Sequence, residues 1–302
     1  MPIVIEQLTY RYGGIEPAGR RKKRDLSETA FAAEAALNDV SLTIREGEFL
    51  GIIGHTGSGK STLVQQLAGL LAPTSGSVTV DGLDTRDKQQ RRQARALVGL
   101  VFQYPEYQLF EETVEKDVAF GPKNLGLPEE EIRARVRGAL ELVGLQPERF
   151  LDKSPFDLSG GEKRRAALAG ILAMRPKYLA LDEPMAGLDP RGRRAILDML
   201  ERLRADTGCA VLMVSHSMDD VARHADRVAV LAQGRLCMLG PTAEVFARAD
   251  ELAGMGLAVP QAARLAGLLR ARGLAAPADA VRPEALVDWV LGAYRARREV
   301  RP

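Results

Sequence analysis

The chain has 302 residues, 46% of them hydrophobic and 27% charged, enough for one large domain and a small one. A net charge of +2 gives no strong pull towards nucleic acid, so no nucleic-acid partner is expected. Cys209 and Cys237 lack metal-ligand spacing and read as small core residues in a reducing compartment, and three histidines leave little for a His-based metal site. No apolar run reaches the length of a membrane span and no secretory signal is apparent, so a cytosolic chain is expected unless something holds it at a membrane.

In chain order, Ile3-Val4-Ile5 and Leu8 to Tyr12 read as two short strands, with Tyr10 and Tyr12 on one strand face. Gly13 to Gly19 is a loop. Arg20-Arg21-Lys22-Lys23-Arg24 after it is a solvated charge block on the plain reading, or a contact with anionic lipid or another subunit on the sharper one. Val40 to Ile44 alternates as a half-buried strand, and Phe49 to Ile53 is a buried one. Leu63, Val64, Leu67, Leu70 and Leu71 then recur with helical period.

Between that strand and helix lies Gly54-His55-Thr56-Gly57-Ser58-Gly59-Lys60-Ser61-Thr62, a phosphate-binding loop in its expected context. Its glycines let backbone N–H groups turn inward around a polyphosphate, and the helix N-terminus adds partial positive charge. Lys60 is placed for the β- and γ-phosphates of a nucleotide, and the Ser61 hydroxyl has the hardness to ligate Mg²⁺. His55 is expected to present only its backbone N–H, and His224 reads as a surface residue.

Ser77 to Val80 is a strand between turns, Thr85 to Arg95 is basic and polar, and Leu97 to Phe102 is an apolar strand closed by Gln103. Residues 105–128, with Pro105, Pro122 and Pro128, read as irregular. Glu129 to Val143 is helical, with acids in its first turn. Leu158-Ser159-Gly160-Gly161-Glu162 opens a helix carrying Lys163, Arg164 and Arg165. Tyr178 to Leu181 is a buried strand ending in Asp182-Glu183-Pro184, Gly187-Leu188-Asp189-Pro190 turns into an amphipathic helix, and Ala210 to Val214 is a strand ending at Ser215-His216. Arg227 to Ala232 and Arg235 to Leu239 form a hairpin.

Strands alternating with helices imply a largely parallel α/β sheet whose ligands sit at the carboxyl ends of the strands. The Gly54 loop, Gln103, Asp182-Glu183 and His216 each close a strand, so four polar sites should converge on one sheet edge. Asp182 is placed as a Mg²⁺-binding carboxylate and Glu183, facing the other way in an extended chain, as the general base.

Leu158-Ser159-Gly160-Gly161-Glu162 resembles the signature motif of the ATP-binding-cassette (ABC) ATPases, and it stands between the phosphate loop and Asp182-Glu183 as that family requires. Gln103 resembles the family's Q-loop glutamine, Gly187-Leu188-Asp189 its D-loop and His216 its switch histidine. The resemblance implies an ABC-type P-loop NTPase fold with a helical signature subdomain and an antiparallel β subdomain. It implies that Tyr12 stacks on adenine, with Tyr10 as the rival, and that Gln103 joins Ser61 and Asp182 at the metal. Glu183 and His216 are the catalytic pair it implies. Ser159, Gly160, Gly161 and Asp189 would act across a head-to-tail dimer on nucleotide held by the partner. Glu162 stands where glutamine is commonest and Met185 where threonine or serine is, with small effects expected.

Val101 to Phe110 and Asp117 to Asn124 resemble the A components of energy-coupling factor (ECF) transporters, and Gly54-His55-Thr56 with Gly256 to Gln261 resembles the second A component in particular. That likeness implies an ATPase domain over 1–242, with a helical subdomain at about 104–160, and a mostly helical C-terminal dimerisation domain over 243–302. The partners it implies are a sister ATPase or second copy, a transmembrane T component docked on the stretch after Gln103, and a substrate-binding S component reached indirectly. The setting it implies is peripheral, on the cytoplasmic face of the cell membrane, where ATP hydrolysis drives uptake of a vitamin or transition-metal ion.

Overall fold

The computed structural model describes residues 1–13, 35–277 and 279–299. The basic block at 20–24 lies outside them.

Strand β1 (Ile3–Tyr10) runs unbroken where two short strands were expected. Register shifts between Ile5 and Leu8 and between Leu8 and Tyr10 let one strand hold both apolar runs. Tyr12 lies beyond the end of β1, so the two tyrosines do not share a strand face. β2 (Leu37–Ile44) is followed by β3 (Phe49–Ile53), α1 (Lys60–Leu67), β4 (Ser75–Val80) and β5 (Leu83–Asp84). The basic stretch becomes α2 (Lys88–Leu97), capped by the Asp87 carboxylate, which accepts from the Gln89 and Gln90 amides. β6 (Val98–Val101) and a 3₁₀ turn at Pro105–Gln108 lead into α3 (Val114–Asn124).

That helix corrects the irregular reading of 105–128. Thr113 caps it, accepting from the Lys116 amide, and Glu115 and Asp117 occupy its first turn. Pro122 lies inside the helix and lacks the N–H that would have bonded the Val118 carbonyl.

Next come α4 (Glu129–Leu142), the short α5 (Pro147–Phe150), α6 (Gly160–Leu172), β7 (Tyr178–Asp182), α7 (Pro190–Thr207), β8 (Ala210–Val214), α8 (Met218–His224) and the hairpin β9 (Arg227–Ala232) and β10 (Arg235–Pro241). Four helices follow: α9 (Thr242–Ala247), α10 (Ala249–Gly254), α11 (Gln261–Ala271) and α12 (Pro283–Glu299).

The strands form two sheets. One is antiparallel, in the order β2-β1-β4-β5; the other has the order β10-β9-β3-β8-β7-β6. In the second, β9, β3, β8, β7 and β6 are parallel and β10 is an antiparallel edge. Every residue of β3 and β8 is buried, as both faces of a covered parallel sheet require. Leu50 and Ile52 face a core shared with α1 and the antiparallel sheet (Ile3, Ile5, Leu63, Val64). Phe49 and Ile53 face a second core shared with the helices (Val118, Val136, Leu168, Leu200). The period-2 alternation of one strand thus joins both layers. In the tail, Val245, Phe246 and Leu252 belong to that second core, whereas Ala262, Ala266, Ala276, Ala280 and Leu286 form a cluster of their own.

Two small readings change. Cys237 is exposed, because β10 is an edge strand with outward positions, while Cys209 is buried as expected. His224 is half-buried rather than fully at the surface: its Nδ1 lies 2.9 Å from the Glu201 Oε1, and its ring lies against Phe49.

Candidate active site

The loop after β3 is shaped by contacts only glycine permits. A Cβ at Gly54 would stand 2.3 Å from the Leu231 carbonyl oxygen and 2.4 Å from Ser58 Oγ. Gly59 has φ +100°, and a Cβ there would stand 2.4 Å from the Ala36 carbonyl oxygen. Lys60 opens α1 with its side chain folded over the loop: Nζ donates to the Gly54 carbonyl at 2.8 Å and to the His55 carbonyl at 2.9 Å. Burial lowers the Lys60 pKa, while Glu183 and Asp182 favour its charge. His55 Nδ1 lies 2.7 Å from the Thr56 carbonyl oxygen, within its own loop. Thr56 and Gly57 are exposed, and Ser58 is buried with its hydroxyl unpartnered among the described residues. Thr62 Oγ1 lies 3.0 Å from the Tyr12 hydroxyl. Tyr12 is 52% exposed and Tyr10 only 7%, their rings perpendicular at 4.9 Å. The structure therefore brings Tyr12 to the loop and sets Tyr10 in the core beneath it.

Strand register places the other groups. Ile52 pairs with Val214, Val214 with Asp182, and Leu181 with Val101. The carboxyl ends of β3, β8, β7 and β6 therefore lie side by side, with the Gly54 loop, Ser215-His216, Asp182-Glu183 and Gln103 along one edge. Asp182 is half-buried and hydrogen-bonded to the Ser61 hydroxyl. Burial raises its pKa above the usual carboxylate range, and Glu183 adds to this; the Ser61 bond, Lys60 and His216 act against it.

Glu183 has φ +52°, a left-handed backbone rare for a side chain of its size. Two main-chain bonds hold it: its amide donates to the Val214 carbonyl and its carbonyl accepts from the Ala186 amide, both at 3.1 Å. Its Oε1 lies 2.8 Å from His216 Nε2. This sharp turn, rather than a continuing strand, separates the Glu183 side chain from that of Asp182. Gln103 is exposed just past β6, and its carbonyl accepts from Arg164 Nη2 at 2.9 Å.

Ser159, Gly160 and Gly161 stand exposed at the start of α6. Ser159 and Glu162 form a reciprocal capping box: the Ser159 amide donates to Glu162 Oε2 at 2.8 Å and the Glu162 amide to Ser159 Oγ at 3.4 Å. The Ser159 side-chain and main-chain bonds hold the Glu162 carboxyl below its usual pKa. Asp189 caps α7, accepting from the Gly192 amide at 2.7 Å. Among the described residues no hydrogen bond or ion pair joins the signature residues or Asp189 to the Lys60 loop. Met185 is buried in the helical core.

One residue the sequence reading passed over is Arg164, only 6% exposed and bonded to two segments of the site. An arginine within Lys163-Arg164-Arg165 reads as a solvated helix face. The only available signal was that its neighbours Ala166 to Ala169 are all apolar.

A phosphate loop, a strand-end Asp-Glu pair, a histidine on that glutamate and a capped glycine-pair helix together define an ATP-binding-cassette ATPase. The model of the ABC transporter family matches residues 37–186. The energy-coupling factor transporter ATP-binding protein EcfA2 of Symbiobacterium thermophilum is 54% identical over 299 residues, 99% of this chain and 98% of that protein. Among solved structures, cbiO1 from Clostridium perfringens, part of the ABC transporter complex cbiONQ, aligns with a TM-score of 0.69 at 36% identity, over 89% of this chain and 98% of that one. A dimeric ATP-binding cassette in a post-hydrolysis state, bound to ADP and Pi, aligns with a TM-score of 0.66 at 28% identity, over 80% of this chain and 98% of that one. The chain belongs to the family of ATP-binding proteins of energy-coupling factor transporters.

Proposed function

We propose that the chain hydrolyses ATP in a head-to-tail ATPase pair and so powers uptake of a vitamin or transition-metal ion through T and S membrane components. The observation that carries this reading is the Glu183–His216 contact at 2.8 Å beside the Asp182–Ser61 bond, on the sheet edge that holds the Lys60 loop. Lys60 leaves two loop carbonyls to meet the β- and γ-phosphates. The backbone N–H groups of residues 54–62 surround them, and Tyr12, exposed and anchored to Thr62, stacks on adenine.

The residues present fit Mg²⁺: a hydroxyl, a carboxylate and an exposed amide oxygen (Ser61, Asp182, Gln103) are few, hard donors that leave room for water and nucleotide oxygens. Held by Ser61, Asp182 and Gln103, Mg²⁺ would supply positive charge against the triphosphate. Glu183 takes the proton of the attacking water, and His216, whose Nε2 lies 2.8 Å from the Glu183 Oε1, orients that carboxylate.

The pairing rests on exposed Ser159, Gly160, Gly161 and Asp189, which reach the nucleotide of a sister ATPase or second copy. The T component docks after Gln103. Supporting this, Phe110 and Phe120 are exposed, their rings perpendicular at 5.0 Å, beside a groove that Arg92, Arg95 and Asp117 also line. Exposed Leu265, Leu268, Val287 and Leu291 on α11 and α12 support a dimerisation role for residues 243–302. No described helix is long and apolar enough to cross a membrane; attachment to the cytoplasmic face is through the T component. The experiment is a pull-down of tagged chain from membranes. Recovery of a sister ATPase and a T component is expected, and recovery of permease subunits with an extracytoplasmic binding protein would contradict the transporter class.

A further inference from the structure

Arg164 is 6% exposed, one turn into α6 from Gly161. Its Nη1 donates to the Ala186 carbonyl at 2.7 Å and its Nη2 to the Gln103 carbonyl at 2.9 Å. These carbonyls belong to chain segments leaving β7 and β6, which lie side by side in the sheet. The first closes the turn that sets Glu183, since the Ala186 amide donates to the Glu183 carbonyl. The second begins the stretch that carries the exposed aromatics Tyr104, Tyr107 and Phe110. Glu106, in that stretch, has a buried Oε2 without a hydrogen-bond partner among the described residues, and it favours the Arg164 charge against burial, which lowers the pKa.

A guanidinium presents several donors in one rigid plane, so it fixes two acceptors relative to each other in a way an ammonium does not. A buried charge held chiefly by main-chain carbonyls is a costly way to fill space. We propose that Arg164 is a positioning residue for hydrolysis: its guanidinium locks the main chain after Gln103 to the turn bearing Glu183 and to the signature helix, so that displacement of any one is passed to the others. The proposal rests on the reading of Glu183 as the base. It assigns Arg164 no contact with nucleotide.

The test uses the full chain in its assembled complex, comparing the parent with Arg164→Lys, Arg164→Gln and Glu183→Gln. ATP affinity, KM, kcat, the ratio of kcat with and without the membrane partner, and thermal unfolding are measured. Lysine keeps the charge and reaches one carbonyl, so kcat is expected to fall about 10-fold or more with KM within about twofold. Stimulation by the partner is expected to shrink with it. A kcat within about twofold of the parent in Arg164→Lys, or a fall matched by an equal loss of ATP affinity, overturns the proposal. If the lysine variant does not fold, the neutral Arg164→Gln, which removes the buried charge, gives the same readout. Full hydrolysis by Glu183→Gln would overturn the assignment of the base instead, whatever Arg164 does.

Discussion

At the residue scale, the Glu183 backbone is set in a left-handed conformation by two main-chain bonds and its carboxylate by His216. Glu183→Gln removes the carboxylate proposed as proton acceptor and leaves the turn intact. It should retain ATP binding while turnover falls about 10²–10⁴-fold, as single-turnover hydrolysis beside equilibrium binding will show. Asp182 carries a different signature. Its folded pKa is raised, so its ionised form costs stability; the cost is absent below the unfolded carboxylate pKa and complete once pH exceeds the folded one. Asp182→Asn should therefore raise the Tm of the nucleotide-free chain at pH 7, a gain that vanishes at acid pH, while lowering ATPase activity. The placement of Lys60, Ser61, Asp182 and His216 along one sheet edge was legible because loop chemistry and strand ends announce it. The Glu183–His216 contact was not, because it depends on which strands are neighbours. Arg164 was not, because a sequence does not say which basic residue of a helix turns inward.

At the element scale, the parallel strands and the helices beginning at 129, 160 and 190 followed from apolar period and strand-end polarity. What escaped was α3, where prolines near a helix end look like a loop, and the continuity of β1, where register shifts hide the alternation. The α6 capping box explains why glutamate is tolerated in the signature: its carboxylate accepts from the Ser159 amide, as a glutamine carbonyl also could. Glu162→Gln should thus leave stability within about 0.5 kcal/mol, whereas Ser159→Ala removes the acceptor for the Glu162 amide and should cost about 1 kcal/mol. Urea denaturation at constant m-value measures both.

At the scale of the whole molecule, one sheet edge carries the groups proposed to hold nucleotide, and the exposed aromatic patch and signature helix belong to the helical layer beside it. Arg164 bridges the two. Phe120→Asp should impair recovery of the membrane complex and spare the fold, since Phe120 is 46% exposed and buries little core; copurification yield against thermal unfolding measures this. The most direct measurement is ATP hydrolysis by the purified, correctly partnered complex with Mg²⁺, set against the same complex carrying Glu183→Gln. The account predicts magnesium-dependent turnover in the first, and in the second, ATP held without cleavage. Equal hydrolysis by both, or a complex that ignores ATP and magnesium, would contradict it.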